Sequence, residues 1–160
     1  MSKQKVVLLA YGKGGHTAQM KRFISNNPDD SVRYVALTNA ENSFEQLIDT
    51  YYCIEARHKF SRLKNCFIGF MYVFYAFIQT VRILMKYKVT GFISTGPGLA
   101  VIPAIICKMN GIKVVYFESW SRFTKPSLAG RVMYKIAHLF FVQHKSLQQF
   151  YPNSKYLGRL

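Results

Sequence analysis

Short, continuously apolar segments alternate with helix-like segments along the whole chain, and this alternation limits the fold more than any other feature. Val6–Tyr11, Gly91–Ser94 and Lys113–Phe117 are segments of this kind, and each leads through a turn into a stretch with helical spacing. A strand without a polar face is buried on both sides, which is typical of a parallel sheet covered by helices. The sequence therefore predicts an α/β fold with a doubly wound parallel sheet, organised as one domain over residues 1–160.

The same patterns place the remaining elements. Further strands are predicted at Val32–Leu37, Tyr51–Glu55, Leu139–Gln143 and Tyr156–Leu157. Helices are predicted at His16–Ile24, Glu41–Asp49, Leu99–Met109 and Ser127–Ala137. Because the carboxyl ends of parallel strands share one edge, the turns that follow them should converge on a crevice there.

Positive charge is distributed unevenly along the chain. There are 22 Lys and Arg residues against 7 Asp and Glu, which gives a formal net charge of +15. Residues 1–56 hold six basic and six acidic residues, whereas the rest of the chain holds sixteen basic residues and a single acid, Glu118. Such an excess indicates a face that binds anions. Nucleic acid, an anionic membrane surface and a diphosphate ligand are the candidates.

A glycine-rich turn, Gly12–Thr17, joins the first predicted strand to the first predicted helix. Backbone N–H groups of Gly14 and Gly15, together with the helix N-terminus, can cradle a phosphate, because glycine permits close approach and the helix end is partly positive. His16 can hydrogen-bond a phosphate or accept a proton near neutral pH. The simpler alternative is a tight turn in which His16 only caps the helix.

This turn does not match the better-known phosphate-binding loops. It lacks the Gly-Lys-Ser/Thr ending of a Walker A loop, and Thr17 stands where a dinucleotide fingerprint has its third glycine. The second predicted strand also ends without an acid to bind a ribose, so we exclude a nicotinamide dehydrogenase and expect no cofactor. The histidines, cysteines and acids show no metal-ligand spacing, so no metal is expected either.

Two further features follow predicted strands and should lie at the same edge of the sheet. Thr95–Gly98 is a second glycine turn, which either lines the crevice or is only shaped by its Gly and Pro residues. Glu118 comes directly after the strand Lys113–Phe117. Its carboxylate can act as a base or orient a ligand or a histidine. Alternatively, it only pairs with Arg122.

An unusually apolar segment, Cys66–Ile78, follows a basic loop at Arg57–Lys64. It is apolar around its whole helical circumference, but its length of about 13 residues is short of the roughly 20 that span a bilayer. We interpret residues 64–86 as a helix embedded in one leaflet, with basic flanks on anionic headgroups; burial against the core or a partner is the alternative. The predicted membrane-contact residues are Phe67, Phe70, Tyr72, Phe74, Tyr75, Phe77, Arg62, Lys64 and Arg82.

Three parts of the chain together resemble one family. They are Gly14–Met20, Ser94–Gly98 with the following Val101–Pro103, and most specifically Pro126–Leu160. They resemble the acceptor-binding subunits of the split GlcNAc transferase of asparagine-linked glycosylation, the Alg14 family, and their bacterial capsule and exopolysaccharide relatives. The resemblance extends over most of the chain and is weakest in the apolar helix.

This resemblance implies a specific role. The fold would be the Rossmann-like amino-terminal half of a GT-B glycosyltransferase, peripheral or monotopic on the cytoplasmic face of the membrane. It would bind a polyprenyl-diphosphate-linked sugar acceptor, and a separate nucleotide-sugar-binding catalytic subunit would complete a heterodimer. Transfer from a UDP-sugar would invert the anomeric centre and would require the partner.

The resemblance also implies roles for individual residues. His16 would be a diphosphate ligand or the catalytic base, with Glu118 as a weaker alternative base. The predicted residues for binding the acceptor diphosphate are Gly14, Gly15, His16, Thr17, Gly96, Gly98 and Arg122.

Two departures from the family pattern matter. Gln19 stands where the family has a glutamate, and we expect the protein to lack the transmembrane anchor that precedes the domain in eukaryotic members. The second departure leaves membrane contact to the apolar helix and suggests a bacterial capsule or exopolysaccharide pathway.

The rival interpretation is an independent basic binding module, either for nucleic acid or as a scaffold. The basic residues cluster around an apolar helix and form neither an arginine-rich stripe nor an aromatic platform for single strands, so nucleic acid is not expected as a partner. A small hydrolase is excluded as well, since the chain has no Gly-x-Ser-x-Gly elbow.

Overall fold

The computed structural model of the chain describes residues 4–27, 29, 31–41, 44–53 and 62–160. The strands are β1 (Lys5–Tyr11), β2 (Tyr34–Thr38), β3 (Leu47–Tyr52), β4 (Lys88–Ser94), β5 (Lys113–Phe117), β6 (Leu139–Val142) and β7 (Lys155–Tyr156). The helices are α1 (Gly15–Ser25), α2 (Arg62–Lys86), α3 (Val101–Met109) and α4 (Leu128–Ile136). Short 3-10 turns occupy Gly98–Ala100 and Lys145–Gln149.

The strands form one parallel sheet in the order β3-β2-β1-β4-β5-β6-β7. The order reverses between β1 and β4, where Ala10 pairs with Ser94. From this point the chain builds the sheet outward in both directions, and ligands in such sheets bind beyond the carboxyl ends of the strands beside it. The predicted doubly wound α/β fold is confirmed.

Each face of the sheet is covered by helices. On one face, Leu9 and Tyr11 of β1 pack with Met20 and Ile24 of α1. On the other face, the core contains residues of the remaining helices, among them Ile83 of α2, Ala104 of α3 and Met133 of α4. Successive residues of β1 point to opposite faces, so a strand covered on both sides has to be apolar throughout.

The predicted helix at Glu41–Asp49 is wrong in its described part. Phe44 lies in a turn, its carbonyl accepts the N–H of Leu47 at 3.0 Å, and β3 begins at Leu47 instead of Tyr51. The pairing of β3 with β2, in which Tyr51 lies opposite Leu37, outweighs the helical spacing of this segment. Residues 42–43 and 54–61 lie outside the described residues, and with them most of the predicted basic loop.

The helix predicted at about 64–86 is present as α2, and one of its faces is buried. Tyr72, Ala76 and Ile83 lie in the core of the sheet, and their spacings of four and seven residues put them on one face of the helix. Thr80 is on the same face, and its hydroxyl donates to the carbonyl of Ala76 at 2.7 Å. Tyr72, expected at the membrane, is instead a core residue with 7% of its surface exposed.

The opposite face of α2 is apolar and uncovered. Phe74 and Phe77 are 54% and 49% exposed, Tyr75 is partly buried and Arg82 is exposed. Between α2 and α3 runs an apolar groove of about 320 Å³, lined by Val73, Phe74, Phe77, Ile102, Ile105, Ile106 and Met109. The side chains of Arg62, Lys64, Phe67 and Phe70 lie outside the described part of the chain. None of the described helices is both long and apolar enough to cross a bilayer.

We expect the buried face of α2, and not its exposed face, to stabilise the fold. Ile83 is fully buried, so Ile83→Ala should lower the free energy of unfolding by about 2–5 kcal/mol. Met85 is 68% exposed, and Met85→Ala should change that free energy by less than about 0.5 kcal/mol. Urea unfolding followed by circular dichroism measures both values, and equal losses would contradict this packing.

Candidate functional site

The two glycine turns meet at the point where the strand order reverses. Gly14, at the start of α1, has φ +70°, and Gly96, after β4, has φ +111°. Side chains other than glycine rarely adopt such a backbone, so both turns need glycine at these positions. A Cβ on Gly12 would lie only 3.2 Å from the Cβ of Pro97, which shows how closely the first turn approaches the second.

His16 is fixed between these turns by a reciprocal pair of hydrogen bonds. Its Nδ1 lies 2.6 Å from the carbonyl oxygen of Thr95, and the hydroxyl of Thr95 donates to the carbonyl of His16 at 2.9 Å. Because a carbonyl only accepts, Nδ1 carries the hydrogen, and Nε2 of the neutral ring presents a lone pair.

The surroundings of His16 favour this neutral form. Burial lowers the pKa of His16 below its usual value of 6.5, although the bond to Thr95 and the charge of Glu118 act in the opposite direction. The positive charge of Arg122 lowers the pKa further. His16 is therefore an uncharged acceptor at neutral pH, which is the state required of a general base.

The N-terminus of α1 supplies the electrostatic part of the cradle. The N–H of Ala18 bonds to the carbonyl of Gly14 at 3.1 Å, so the N–H groups of the three preceding residues fall in the first turn, where a helix offers no acceptor. No acidic residue lies in that turn to compete for an anion. The hydroxyl of Thr17 donates to the carbonyl of Gly12 at 2.7 Å, so it holds the turn closed and leaves only the N–H for a ligand.

Gly96 and Gly98 of the second turn contribute differently. A Cβ on Gly96 would lie 3.1 Å from Cε1 of His16 and 3.3 Å from the backbone nitrogen of Ser119, so only glycine allows these loops to converge. The carbonyl of Gly96 also accepts the hydroxyl of Tyr116 at 3.1 Å. Gly98 begins a 3-10 turn, and a Cβ there would meet nothing within 4 Å. The structure thus joins Gly96 to His16 but gives Gly98 no comparable contact.

A third loop, at the end of β5, completes the crevice through Trp120, which the sequence analysis missed. A Cβ on Gly15 would lie 2.9 Å from the indole nitrogen, and the guanidinium of Arg22 lies 5.1 Å from the ring centroid. The carbonyl of Trp120 accepts Nε2 of His144 at 2.9 Å. Gln19, fully buried beside it, accepts the N–H of Trp120 at 3.5 Å. The chain's single tryptophan, three residues after the end of β5, was the available signal.

Glu118 is buried completely, and hydrogen-bond donors surround its carboxylate. It accepts the N–H of Ser119 at 2.9 Å, the hydroxyl of Ser127 at 2.9 Å and the hydroxyl of Tyr151 at 3.0 Å. Burial and the charge of Glu118 raise the pKa of Tyr151, so its hydroxyl keeps its hydrogen. This arrangement favours a structural role for Glu118 over that of a base.

The carboxylate fastens the start of α4 to the end of β5. Ser127, which donates to Glu118, caps α4 by accepting the N–H of Gly130 at 2.8 Å. The predicted alternative, an ion pair between Glu118 and Arg122, is absent: both residues are described, Arg122 is exposed, and no ion pair joins them. Within the described ranges, no three His, Cys, Asp or Glu side chains are close enough to hold a metal ion.

Known proteins resemble this chain over nearly its whole length. Residues 6–160 match the model of the family described as "Oligosaccharide biosynthesis protein Alg14 like". Several relatives carry the name UDP-N-acetylglucosamine transferase subunit ALG14, and three of them illustrate the match. The relative from Mus musculus is 28% identical, with 96% of this chain and 82% of the relative aligned. The relative from Candida albicans is 29% identical (93% and 75%), and that from Saccharomyces cerevisiae is 25% identical (96% and 76%).

Solved structures share the fold at lower identity. MurG of Acinetobacter baumannii superimposes with a TM-score of 0.60 at 15% identity, with 87% of this chain and 41% of MurG aligned. UDP-N-acetylglucosamine 2-epimerase of Rickettsia bellii gives a TM-score of 0.64 at 12% identity, with 94% and 42% aligned. The chain therefore spans about two fifths of these structures. The likeness confirms the Rossmann-like α/β fold.

We expect any side chain at position 130 to lower the stability of the fold, because Glu118 packs directly against Gly130. A Cβ on Gly130 would overlap the carboxylate of Glu118 and lie 2.6 Å from the hydroxyl of Tyr151. Gly130→Ala should therefore lower the free energy of unfolding by about 1–3 kcal/mol, the usual effect of overpacking. Gly98→Ala is the matched control and should change it by less than about 0.5 kcal/mol, because nothing lies within 4 Å. Urea unfolding of both variants decides, and a Gly130→Ala protein as stable as the wild type would refute the packing.

Proposed function

Because the chain belongs to the family of Alg14-like oligosaccharide biosynthesis proteins, we propose that it is the acceptor-binding, membrane-docking subunit of a two-component glycosyltransferase. The observation that carries the proposal is His16, held neutral between two glycine turns in a chain matched to this family over residues 6–160. The chain is the acceptor half of this enzyme. The two-component enzyme makes lipid-linked oligosaccharide or polysaccharide.

The acceptor is a sugar linked to a polyprenyl diphosphate. Its diphosphate lies on the first turn of α1, where the N–H groups of Gly15, His16 and Thr17 and the helix end favour negative charge. Gly14 and Gly96 keep side chains away from this surface. The exposed guanidinium of Arg122 adds positive charge beside it.

A second polypeptide holds the nucleotide sugar. The relatives are named as subunits of a UDP-N-acetylglucosamine transferase, which supports a UDP-sugar as the donor and a heterodimer as the active form. The isolated chain is inactive because it supplies only the acceptor half of the enzyme. The reaction needs no cofactor besides its two substrates. The family match does not favour the alternative of an independent basic binding module.

His16 acts as the general base of the transfer. The acceptor hydroxyl gives its proton to Nε2 of His16 as its oxygen attacks the anomeric carbon. The bond from that carbon to UDP breaks, UDP leaves with the electron pair, and the configuration inverts. Because Nδ1 is already bonded to Thr95, the ring is oriented before the acceptor arrives.

The exposed face of α2 rests in one leaflet on the cytoplasmic side of the membrane. Phe74 and Phe77 enter the acyl boundary, and the basic residues near the helix ends meet anionic headgroups. We place the protein in a bacterial capsule or exopolysaccharide pathway, where the acceptor is presented by the same membrane.

Replacing His16 tests its role as the base. In the chain reconstituted with its partner, His16→Gln should reduce kcat by about 10²- to 10⁴-fold, while the KM for the acceptor changes little. A raised KM with unchanged kcat would instead identify His16 as a diphosphate ligand. Because the pKa of His16 is lowered, wild-type kcat should be constant above about pH 6.5 and fall at lower pH as the ring becomes protonated.

The control is His138→Asn. His138 accepts the N–H of Val114 through Nδ1 at the amino end of β6, away from the crevice, and asparagine retains an acceptor there. This variant should keep the wild-type kcat and pH profile. Full activity of His16→Gln would remove His16 from the catalytic step.

Membrane docking by α2 is tested with vesicles of phosphatidylcholine and phosphatidylglycerol. Changing Phe74 and Phe77 together to Ser should weaken binding at least about tenfold, because two large apolar side chains no longer leave water. The control changes Leu128 and Val132 to Ser on the exposed face of α4 and should bind as the wild type does. If both double variants sediment with vesicles like the wild type, α2 is not the docking surface.

A further inference from the structure

An exposed aromatic ring stands at the carboxyl edge of the sheet without an assigned role. Phe123 lies in the loop between β5 and α4, and 53% of its surface is exposed. One side of its ring rests on the imidazole of His144, with ring centroids 4.2 Å apart and planes at 40°. About half of Phe123 stays exposed beside this contact, so the two rings form a small platform with aromatic surface open to solvent.

The loop that carries Phe123 is held at several points. Nε2 of His144 donates to the carbonyl of Trp120 at 2.9 Å, and the hydroxyl of Ser146 donates to the carbonyl of Phe123. Within the loop, the N–H of Arg122 bonds to the carbonyl of Ser119 at 3.0 Å. A ring on a backbone fixed in this way loses little conformational entropy when it binds a ligand.

The loop that carries this platform borders the phosphate cradle. The backbone nitrogen of Ser119 lies 3.3 Å from the position of a Cβ on Gly96, and the indole of Trp120 contacts Gly15. Phe123 follows Trp120 by three residues in the same loop. The loop that borders the cradle therefore also carries the aromatic platform.

We propose that Phe123, supported by His144, stacks against the sugar ring of the lipid-linked acceptor. The proposal rests on the proposed function and adds a subsite to it. A pyranose ring presents weakly polarised C–H groups on one face and hydroxyls around its edge. The C–H groups can stack on the negative face of an aromatic ring, and the hydroxyls can hydrogen-bond to polar neighbouring side chains.

The neighbours of Phe123 fit a sugar better than a hydrocarbon chain. Ser121, Arg122, Thr124 and Lys125 are all exposed around it, and Lys145 follows His144. A hydrocarbon would leave these groups without partners, whereas hydroxyls can bond to them. The apolar groove between α2 and α3 shows the contrast, since seven apolar side chains line it.

The first test is ligand binding by the isolated chain, residues 1–160. The probes are water-soluble isoprenyl diphosphates carrying glucose, galactose or GlcNAc, and the same isoprenyl diphosphate without a sugar. The wild type should bind at least one sugar-bearing probe about five- to tenfold more tightly than the sugar-free one. Phe123→Ala should lose that difference and keep the affinity for the sugar-free probe, while Phe123→Trp should retain the difference.

The matched control is Phe150→Ala, which removes another half-exposed phenylalanine distant from β5 in sequence. It should discriminate between the probes as the wild type does. Equal discrimination by Phe123→Ala and Phe150→Ala, or a wild type that prefers none of the sugars, would overturn the proposal. So would a Phe123→Ala protein that loses vesicle binding or its partner while its preference for sugar is unchanged.

The reconstituted enzyme separates this proposal from the proposed function. If transfer occurs, Phe123→Ala should raise the KM for the acceptor about five- to tenfold and leave the KM for the nucleotide sugar unchanged. If the wild-type pair shows no transfer to any acceptor, the proposed function fails, and the binding test still decides on the sugar subsite. An unchanged acceptor KM in an active pair overturns the subsite alone.

Discussion

The reciprocal hydrogen bonds between His16 and Thr95 are the constraint on which the crevice depends. They join the loop after β1 to the loop after β4, the two strands between which the sheet reverses its order. The bond from Nδ1 orients the imidazole, and the bond from the Thr95 hydroxyl fixes the start of α1. Since the loops must approach within bonding distance, Gly96 has no room for a side chain beside the imidazole. The glycine at position 96, the backbone of the two loops and the neutral form of His16 therefore depend on one another.

The buried carboxylate of Glu118 extends this rigidity to the third loop. An anion removed from water is tolerated only if donors replace its hydration, and here two backbone N–H groups and two hydroxyls do so. The same contacts fix the N-terminus of α4 through Ser127 and position the loop that carries Trp120 and Phe123. The negative charge also opposes the effect of burial on His16, so it moderates the lowering of the pKa. Glu118 therefore acts on the crevice by holding its third loop in place and through its charge.

The sequence predicted the sheet and its two glycine turns because both leave local signals. Apolar strands and glycines at sharp turns depend mainly on their own residues. The strand Leu47–Tyr52 was predicted with the wrong start because helical spacing and strand propensity compete in this segment. Pairing with β2 decides in favour of the strand. Tyr72 was misplaced because an apolar helix does not reveal which of its sides meets the sheet. Trp120 and the partners of Glu118 come from segments far apart in sequence, and only the folded chain brings them together. The ligand-binding and catalytic roles assigned to His16, Glu118 and the other crevice residues stay predictions.

The direction of α2 links the two proposed surfaces of the molecule. Lys86, at its end, is bonded to Asp49 within β3 at 2.8 Å, whereas Tyr72 lies near Cys53, just past the end of that strand. The helix therefore runs against the strands, and its beginning points to the carboxyl edge of the sheet. With 25 residues at about 1.5 Å each, it is roughly 37 Å long, and the seven residues of β4 extend about 23 Å. The start of α2 consequently projects past the sheet on the side where His16 and the glycine turns lie. If α2 rests in a leaflet as proposed, the crevice opens at the end of the molecule to which the beginning of this helix points.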